Sequence, residues 1–189
     1  RVAIDLPEKY LLGIGRMKDN VKQFDHLIKA FQQSDARALG VKLLLVGDGP
    51  YKEVLKDLVA TLGLSDSVLF QSFSKNPFPY YRNALFTALT SKSEGFPNVL
   101  LESLATGTPV VAYNCVSGPS EIIRHRENGL LVEDQDISAM VQAMNTLLQD
   151  VELREYCRSN ATESVHQFTP TRIVEQWLSF LGLPARNTN

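Results

Sequence analysis

The sequence predicts an α/β domain, a doubly wound parallel sheet of about six strands with helices on both faces. Three observations predict it. Short Leu- and Val-rich runs alternate with amphipathic stretches along most of the chain, which is the order that βαβ units produce. The run at 41–46 is apolar at nearly every position, as a strand covered on both sides of a parallel sheet must be. Clusters such as Gly47-Asp48-Gly49-Pro50 stand between the runs, where turns are needed.

The elements follow in order. Residues 10–14 form the first strand, and a helix is expected over 21–31 because Phe24, Leu27, Ile28 and Phe31 share one helical face. Strand 41–46 ends at the Gly47 turn and is followed by a helix over 51–62. After a short strand at 68–70, Asn76-Pro77 reads as an N-cap with proline at the first helical position, opening a short helix to Arg82. The fourth strand is 86–90, the next helix is 97–105, and strands five and six are 109–112 and 130–132. Ile137, Met140, Val141, Met144, Leu147 and Leu148 then form a helical stripe. A second helix runs over 151–165, and Thr169-Pro170 starts a last one through Trp177 to Leu181. These last three helices are expected to be packing elements. The whole reads as one Rossmann-like domain over 1–183 with a frayed tail at 184–189.

Composition narrows the function. The 189 residues, 44% hydrophobic and 21% charged, suffice for one domain with a sizeable core. A formal net charge of −2 gives no overall attraction to nucleic acid or acidic membranes, so any anion site must be local. Cys115 and Cys157 stand far apart without a partner motif, which argues for buried thiols and a reducing, cytoplasmic setting. No apolar run approaches the roughly 20 residues that span a bilayer. The chain begins at Arg1 without an initiator Met, from which a fragment of a longer protein is expected.

In open parallel sheets, ligands bind outside the carboxyl ends of the strands, and three segments lie there. The first, Gly13-Ile14-Gly15-Arg16 to Lys22, joins strand one to helix one. Gly15 allows close backbone approach, while Arg16 and Lys22 bring two cations. A dinucleotide fingerprint fits poorly, because Lys18 stands where its third glycine belongs. The second segment is Ser93-Glu94-Gly95-Phe96-Pro97-Asn98-Val99-Leu100-Leu101-Glu102. With a helix starting at Pro97, free amides around Gly95, Phe96, Asn98 and Val99 converge with the positive end of the helix dipole, a site suited to a diphosphate. Glu102 lies one turn beyond Asn98 and leans back toward that site, where its two oxygens match the vicinal diol of a ribose. Glu94, in the preceding loop, is free for the hydroxyls of a second sugar. The third segment, Ser117-Gly118-Pro119-Ser120-Glu121-Ile122-Ile123, is a tight turn that serves either this pocket or the fold alone. No metal site is expected: His26, His125 and His166 lack ligand spacing, and Asp134-Gln135-Asp136 precedes an amphipathic helix, where Asp136 acts as an N-cap.

Several of these pieces, taken together, resemble the retaining group 1 (family 4) glycosyltransferases of the GT-B fold. They are Gly15-Arg16 with Lys22, Gly47-Asp48-Gly49-Pro50, Glu94 with Glu102, Ala105-Thr106-Gly107-Thr108-Pro109, Gly118-Pro119-Ser120-Glu121, and Asn128-Gly129-Leu130-Leu131-Val132. The resemblance covers nearly the whole chain. It implies the C-terminal, donor-binding half of such an enzyme, without the N-terminal acceptor-binding domain. Carried over to this sequence, it places Arg16 and Lys22 on the donor diphosphate, Glu94 on sugar hydroxyls, Glu102 on the ribose, Gly95 to Val99 on sugar and phosphate, and the Phe73-Ser74 loop on the base. It also implies transfer with retention and no agreed protein nucleophile. Neither metal nor cofactor is implied, since the nucleotide sugar is a substrate. A UDP-sugar donor, a surface-polysaccharide or lipid-linked acceptor, and attachment of the full enzyme to the inner membrane face are the matching expectations. Ser72 and Asn83-Ala84-Leu85 depart from the family pattern around the base loop and before strand four. Competing expectations are an epimerase or sugar-phosphate synthase on the same fold, and a non-catalytic scaffold.

Overall fold

The structure, a computed structural model, describes residues 6–184, so that residues 185–189 of the expected tail lie outside it. The sheet comprises β1 (Tyr10–Ile14), β2 (Lys42–Val46), β3 (Val68–Gln71), β4 (Thr87–Leu89), β5 (Val110–Tyr113) and β6 (Gly129–Val132). Its order is β3-β2-β1-β4-β5-β6, parallel throughout. The order reverses between β1 and β4, which leaves a crevice at their carboxyl ends. The helices are α1 (Phe24–Gln33), α2 (Tyr51–Thr61), α3 (Phe78–Asn83), α4 (Asn98–Ala105), α5 (Pro119–Ile122), α6 (Ile137–Gln149), α7 (Val151–Ser164) and α8 (Pro170–Phe180).

Strand side chains alternate between the two faces, and both faces are covered. Leu11, Leu43 and Leu45 join Phe24, Leu27, Ile28 and Phe31 of α1 and Met140, Met144 and Leu147 of α6 in one core. Opposite them, Tyr10, Leu12, Leu44 and Val46 pack with Tyr80 and Tyr81 of α3, while Leu89, Val110 and Ala112 pack on Leu100 and Leu104 of α4. Each such side chain contributes about 1.5–3 kcal/mol by leaving water, which is why near-continuous apolar runs were needed to cover two faces.

Several boundaries differ from expectation. The helix expected over 21–31 is broken: a 3₁₀ turn covers Asn20–Lys22, Gln23 adopts a left-handed conformation (φ 44°, ψ 47°), and α1 starts at Phe24. Asn76 is not an N-cap, since Pro77 precedes α3 with no side-chain cap and the Asn76 amide donates to Ser74 Oγ at 3.2 Å. Pro97 stands at the N-cap of α4 with an extended ψ of 84° rather than inside its first turn. Asp136 does cap α6, accepting from the Ala139 amide at 2.9 Å. Of the three last helices, α6 and α7 pack on the sheet, but no residue of α8 is buried: Trp177 and Phe180 stack edge to face and stay 60% and 81% exposed.

Candidate functional site

A cavity of about 590 Å³ opens at the switch point, lined among others by Gly15, Arg16, Asp48, Phe73, Ser74, Lys75, Tyr81, Val99 and Glu102. Glycine geometry makes the approach possible. Gly49 sits at φ 148°, and a Cβ there would collide with the Met17 carbonyl, so the turn after β2 presses directly on the loop that carries Arg16. Gly118 at φ 95° likewise lets the turn before α5 press on Pro97, at the start of α4. The Ser117–Ile123 turn therefore abuts the site's wall.

Lys22 and Glu94 were read as separate contacts, but the fold joins them. Lys22 Nζ donates to Glu94 Oε1 at 2.6 Å, and Ser91 Oγ donates to the same oxygen. Thus Glu94 is not free at Oε1, while Oε2 makes no hydrogen bond among the described residues. The pair is largely withdrawn from solvent, with side chains 21% and 10% exposed, where an ion pair resists screening better than at the surface. Arg16 lines the main cavity and also a smaller hollow of about 240 Å³ shared with Lys18 and Lys22. Two of the expected cations are thereby brought side by side.

Also on the wall of the main cavity, Tyr81 Oη donates to Glu102 Oε2 at 2.8 Å. Burial, then the neighbouring Glu102 carboxylate, pushes the Tyr81 phenol far above its ordinary value, so it remains a donor. The carboxylate is thus aimed by a side chain of α3. The Phe73-Ser74 loop is pinned in a similar way. Asp48 Oδ2 accepts from the Phe73 amide at 2.7 Å and Oδ1 accepts from Lys52 Nζ at 2.9 Å; the Lys52 contact, then the Phe73 amide, lowers the Asp48 carboxyl below its ordinary range. Phe73 remains 70% exposed beside the cavity.

Not every expected residue is gathered here. Lys22, Glu94, Gly95, Phe96 and Asn98 do not line the main cavity. The Asn98 amide is not a free donor, because it bonds to the Phe96 carbonyl at 3.0 Å; with Pro97 at the N-cap, the helix starts one residue later than the converging-amide picture required. Phe96 instead meets Phe168 edge to face at 5.5 Å. Sequence reasoning missed Tyr81, Ser91, Lys75 and the clamp role of Asp48. Asp48 was findable, since it follows a strand at the carboxyl end of the sheet; Tyr81 carried no such signal. Cys115 and Cys157 are buried, and burial raises both thiols, Cys157 to about 11, so neither is a poised nucleophile. Among the described residues no helix is long and apolar enough to cross a membrane.

A cleft at the switch point of a doubly wound sheet, lined by the Arg16 guanidinium and the Glu102 carboxylate, lies where this class of fold holds its ligands. The family model for glycosyl transferases group 1 matches residues 1–164, and the chain belongs to that family. It is 41% identical over 157 residues to an exopolysaccharide phosphotransferase of Streptomyces coelicolor, covering 82% of this chain and 17% of that protein. It is 35% identical over 178 residues to N-acetylgalactosamine-N,N'-diacetylbacillosaminyl-diphospho-undecaprenol 4-alpha-N-acetylgalactosaminyltransferase of Campylobacter jejuni, covering 94% and 48%. The crystal structure of Anabaena HepE in complex with UDP superposes with a TM-score of 0.83 at 26% identity, covering 93% of this chain and 49% of that one. The chain therefore spans half or less of the length of these relatives.

Proposed function

We propose that this chain is the donor-binding domain of a retaining glycosyltransferase that uses a UDP-sugar and requires a second, acceptor-binding domain for transfer. The observation that carries the proposal is that Arg16 and Glu102 line one cavity, while Arg16 also shares a second hollow with Lys22. In this reading Arg16 and Lys22 hold the diphosphate with the Val99 amide in the first turn of α4, and Gly15, Gly95, Phe96 and Asn98 shape the loops around it. Glu102 takes the ribose diol, and Phe73 and Ser74 flank the base. Glu94 orients the sugar through Oε2, since Oε1 is occupied by Lys22 and Ser91.

Breaking the bond between sugar and diphosphate leaves charge on the departing phosphate, and fixed cations aimed at it lower the barrier without reorganising at the moment of reaction. No metal is needed for that step. Glu94 positions the sugar and is not assigned as a nucleophile. The exposed Trp177 and Phe180 of α8 fit a surface that the second domain covers. Relatives that include the diphospho-undecaprenol transferase and a lipopolysaccharide core biosynthesis glycosyltransferase of Rhizobium meliloti support acceptors of the polysaccharide or lipid-linked class; such an acceptor would bring the full enzyme to the cytoplasmic membrane face.

Calorimetric titration with UDP, GDP, ADP and NADH, first without metal and then with magnesium, tests the reading. UDP is expected to bind without metal. Binding of NADH alone, or of no nucleotide, would overturn it. Residues 1–189 alone are expected to transfer no sugar, because donor and acceptor must be held together, and turnover by them would remove the need for a second domain.

A further inference from the structure

The Asp134-Gln135-Asp136 string has a use beyond capping α6. Gln135 stands between β6 and α6 at φ 63° and reaches Gln23, 112 residues earlier. The two amides bond reciprocally. Gln23 Nε2 donates to Gln135 Oε1 at 2.7 Å, and Gln135 Nε2 donates back to Gln23 Oε1 at 2.8 Å. Gln135 Nε2 also donates to Asp134 Oδ1 at 2.9 Å, and Gln23 Nε2 lies 3.4 Å from His26 Nε2. Gln23 is itself buried, at 6% exposure.

Gln23 directly follows Lys22 and is the left-handed joint that interrupts the helix expected over 21–31. A residue other than glycine holds that conformation only where its surroundings over-determine it. From one side the loop after β4 does so: Thr90 Oγ1 donates to the Lys22 and Gln23 carbonyls at 3.1 and 2.9 Å, and the Lys92 amide to the Val21 carbonyl at 2.9 Å. From the other side the Gln135 amide does so. Val21 stands in helical spacing with Phe24 and Ile28, and changing Gln23 from its left-handed conformation to helical backbone would turn the chain that carries Lys22. Such a turn would swing the Lys22 ammonium off Glu94.

We propose that Gln23 and Gln135 are positioning residues whose reciprocal amide pair keeps this joint broken and so fixes the Lys22 ammonium against Glu94 and the donor diphosphate. The proposal rests on the reading of Lys22 as a diphosphate ligand. It sets the β6–α6 loop, which does not line the main cavity, behind the anion site as its brace.

The test is calorimetry with UDP and UMP on the chain and on Gln135→Ala, Gln135→Glu, Lys22→Ala and the Gln135→Ala/Lys22→Ala pair. Gln135 lies on an exposed loop, and thermal melting of each variant reports that the fold persists. Gln135→Ala is expected to weaken UDP about 10-fold and UMP less than about 2-fold, and to add nothing to Lys22→Ala, as coupled residues do. Gln135→Glu, which still accepts from Gln23 but cannot donate back, should fall between. Native UDP affinity in Gln135→Ala, an equal loss for UMP, or a full further loss on top of Lys22→Ala would overturn the proposal while leaving the donor reading intact. Unchanged UDP affinity in Lys22→Ala would instead remove Lys22 from the diphosphate, and this proposal with it.

Discussion

Replacing Glu102 by alanine tests the ribose end of the proposed site most directly. Its carboxylate lines the cavity and accepts from the buried Tyr81 hydroxyl through Oε2 alone, so Oε1 is available to a ligand. A hydrogen bond to a charged group contributes about 1.5–3 kcal/mol. The cavity is open to water, which favours the lower half of that range, and a loss of about 2 kcal/mol corresponds to roughly 30-fold in dissociation constant. The same change strands the Tyr81 hydroxyl, fully buried, at about 1–3 kcal/mol of stability. For a domain of this size that lowers Tm by roughly 5 °C. Tyr81→Phe separates the two effects. It keeps the carboxylate but frees it to rotate, so binding must order the side chain again at about 0.5–1.5 kcal/mol, or roughly 2- to 10-fold weaker UDP. Titration with UDP and with its 2′,3′-dideoxy analogue is the assay. Both variants should bind the dideoxy analogue as the native chain does. Equal losses for the two ligands, or no loss for UDP, would refute the ribose assignment.

Gly49→Ala should destabilise the domain by about 3 kcal/mol or more, because a Cβ at φ 148° collides with the backbone of Met17 and Lys18; thermal unfolding measures it. Asn128→Ala removes a buried amide that donates to the Ile122 carbonyl and Ser164 Oγ at 3.0 and 2.9 Å and accepts from the Arg124 amide at 2.9 Å. A loss of about 2–4 kcal/mol in urea unfolding is expected, since it leaves partners unpaired. The lowered Asp48 carboxyl contributes its clamp above its ordinary value of 3.8 and loses it as pH falls through the lower folded value. UDP affinity should therefore show an acid-side fall only below that ordinary value, one that Asp48→Asn lacks, and identical pH profiles would show that the Phe73 loop does not depend on that charge.

Much of the fold was legible because burial on two faces leaves a strong mark: Val41 to Val46 could hardly be anything but a central strand, and β2 occupies most of it. The strand ends then located the loops at the site. What the sequence did not disclose was set by contacts between distant segments. The break at Gln23 was invisible because Val21, before it, stands in helical spacing with Phe24, Ile28 and Phe31 after it, and contacts from Thr90 and Gln135 reach the joint from distant segments. Tyr81 was legible as an apolar residue of a short helix, while its hydroxyl found a role only when α3 met α4. The Asn98 amide was misjudged for a local reason: one residue's shift in the start of α4 turned a donor meant for a ligand toward the Phe96 carbonyl.

On the proposed reading, the contact between Lys22 and Glu94 explains how an acidic side chain can stand beside a phosphate site. Alone, a carboxylate there would repel the anion; held at 2.6 Å by an ammonium, it makes the local pair neutral before any ligand arrives. An ammonium has three donors, so Lys22 can reach a phosphate oxygen without releasing Glu94, and Ser91 keeps a second bond on the same oxygen. On the proposed reading, the residue that stabilises the leaving group is then also the one that orients the sugar's ligand. Loss of Lys22 should therefore impair the sugar contact as well as the diphosphate contact, a coupling that two independent side chains would not produce.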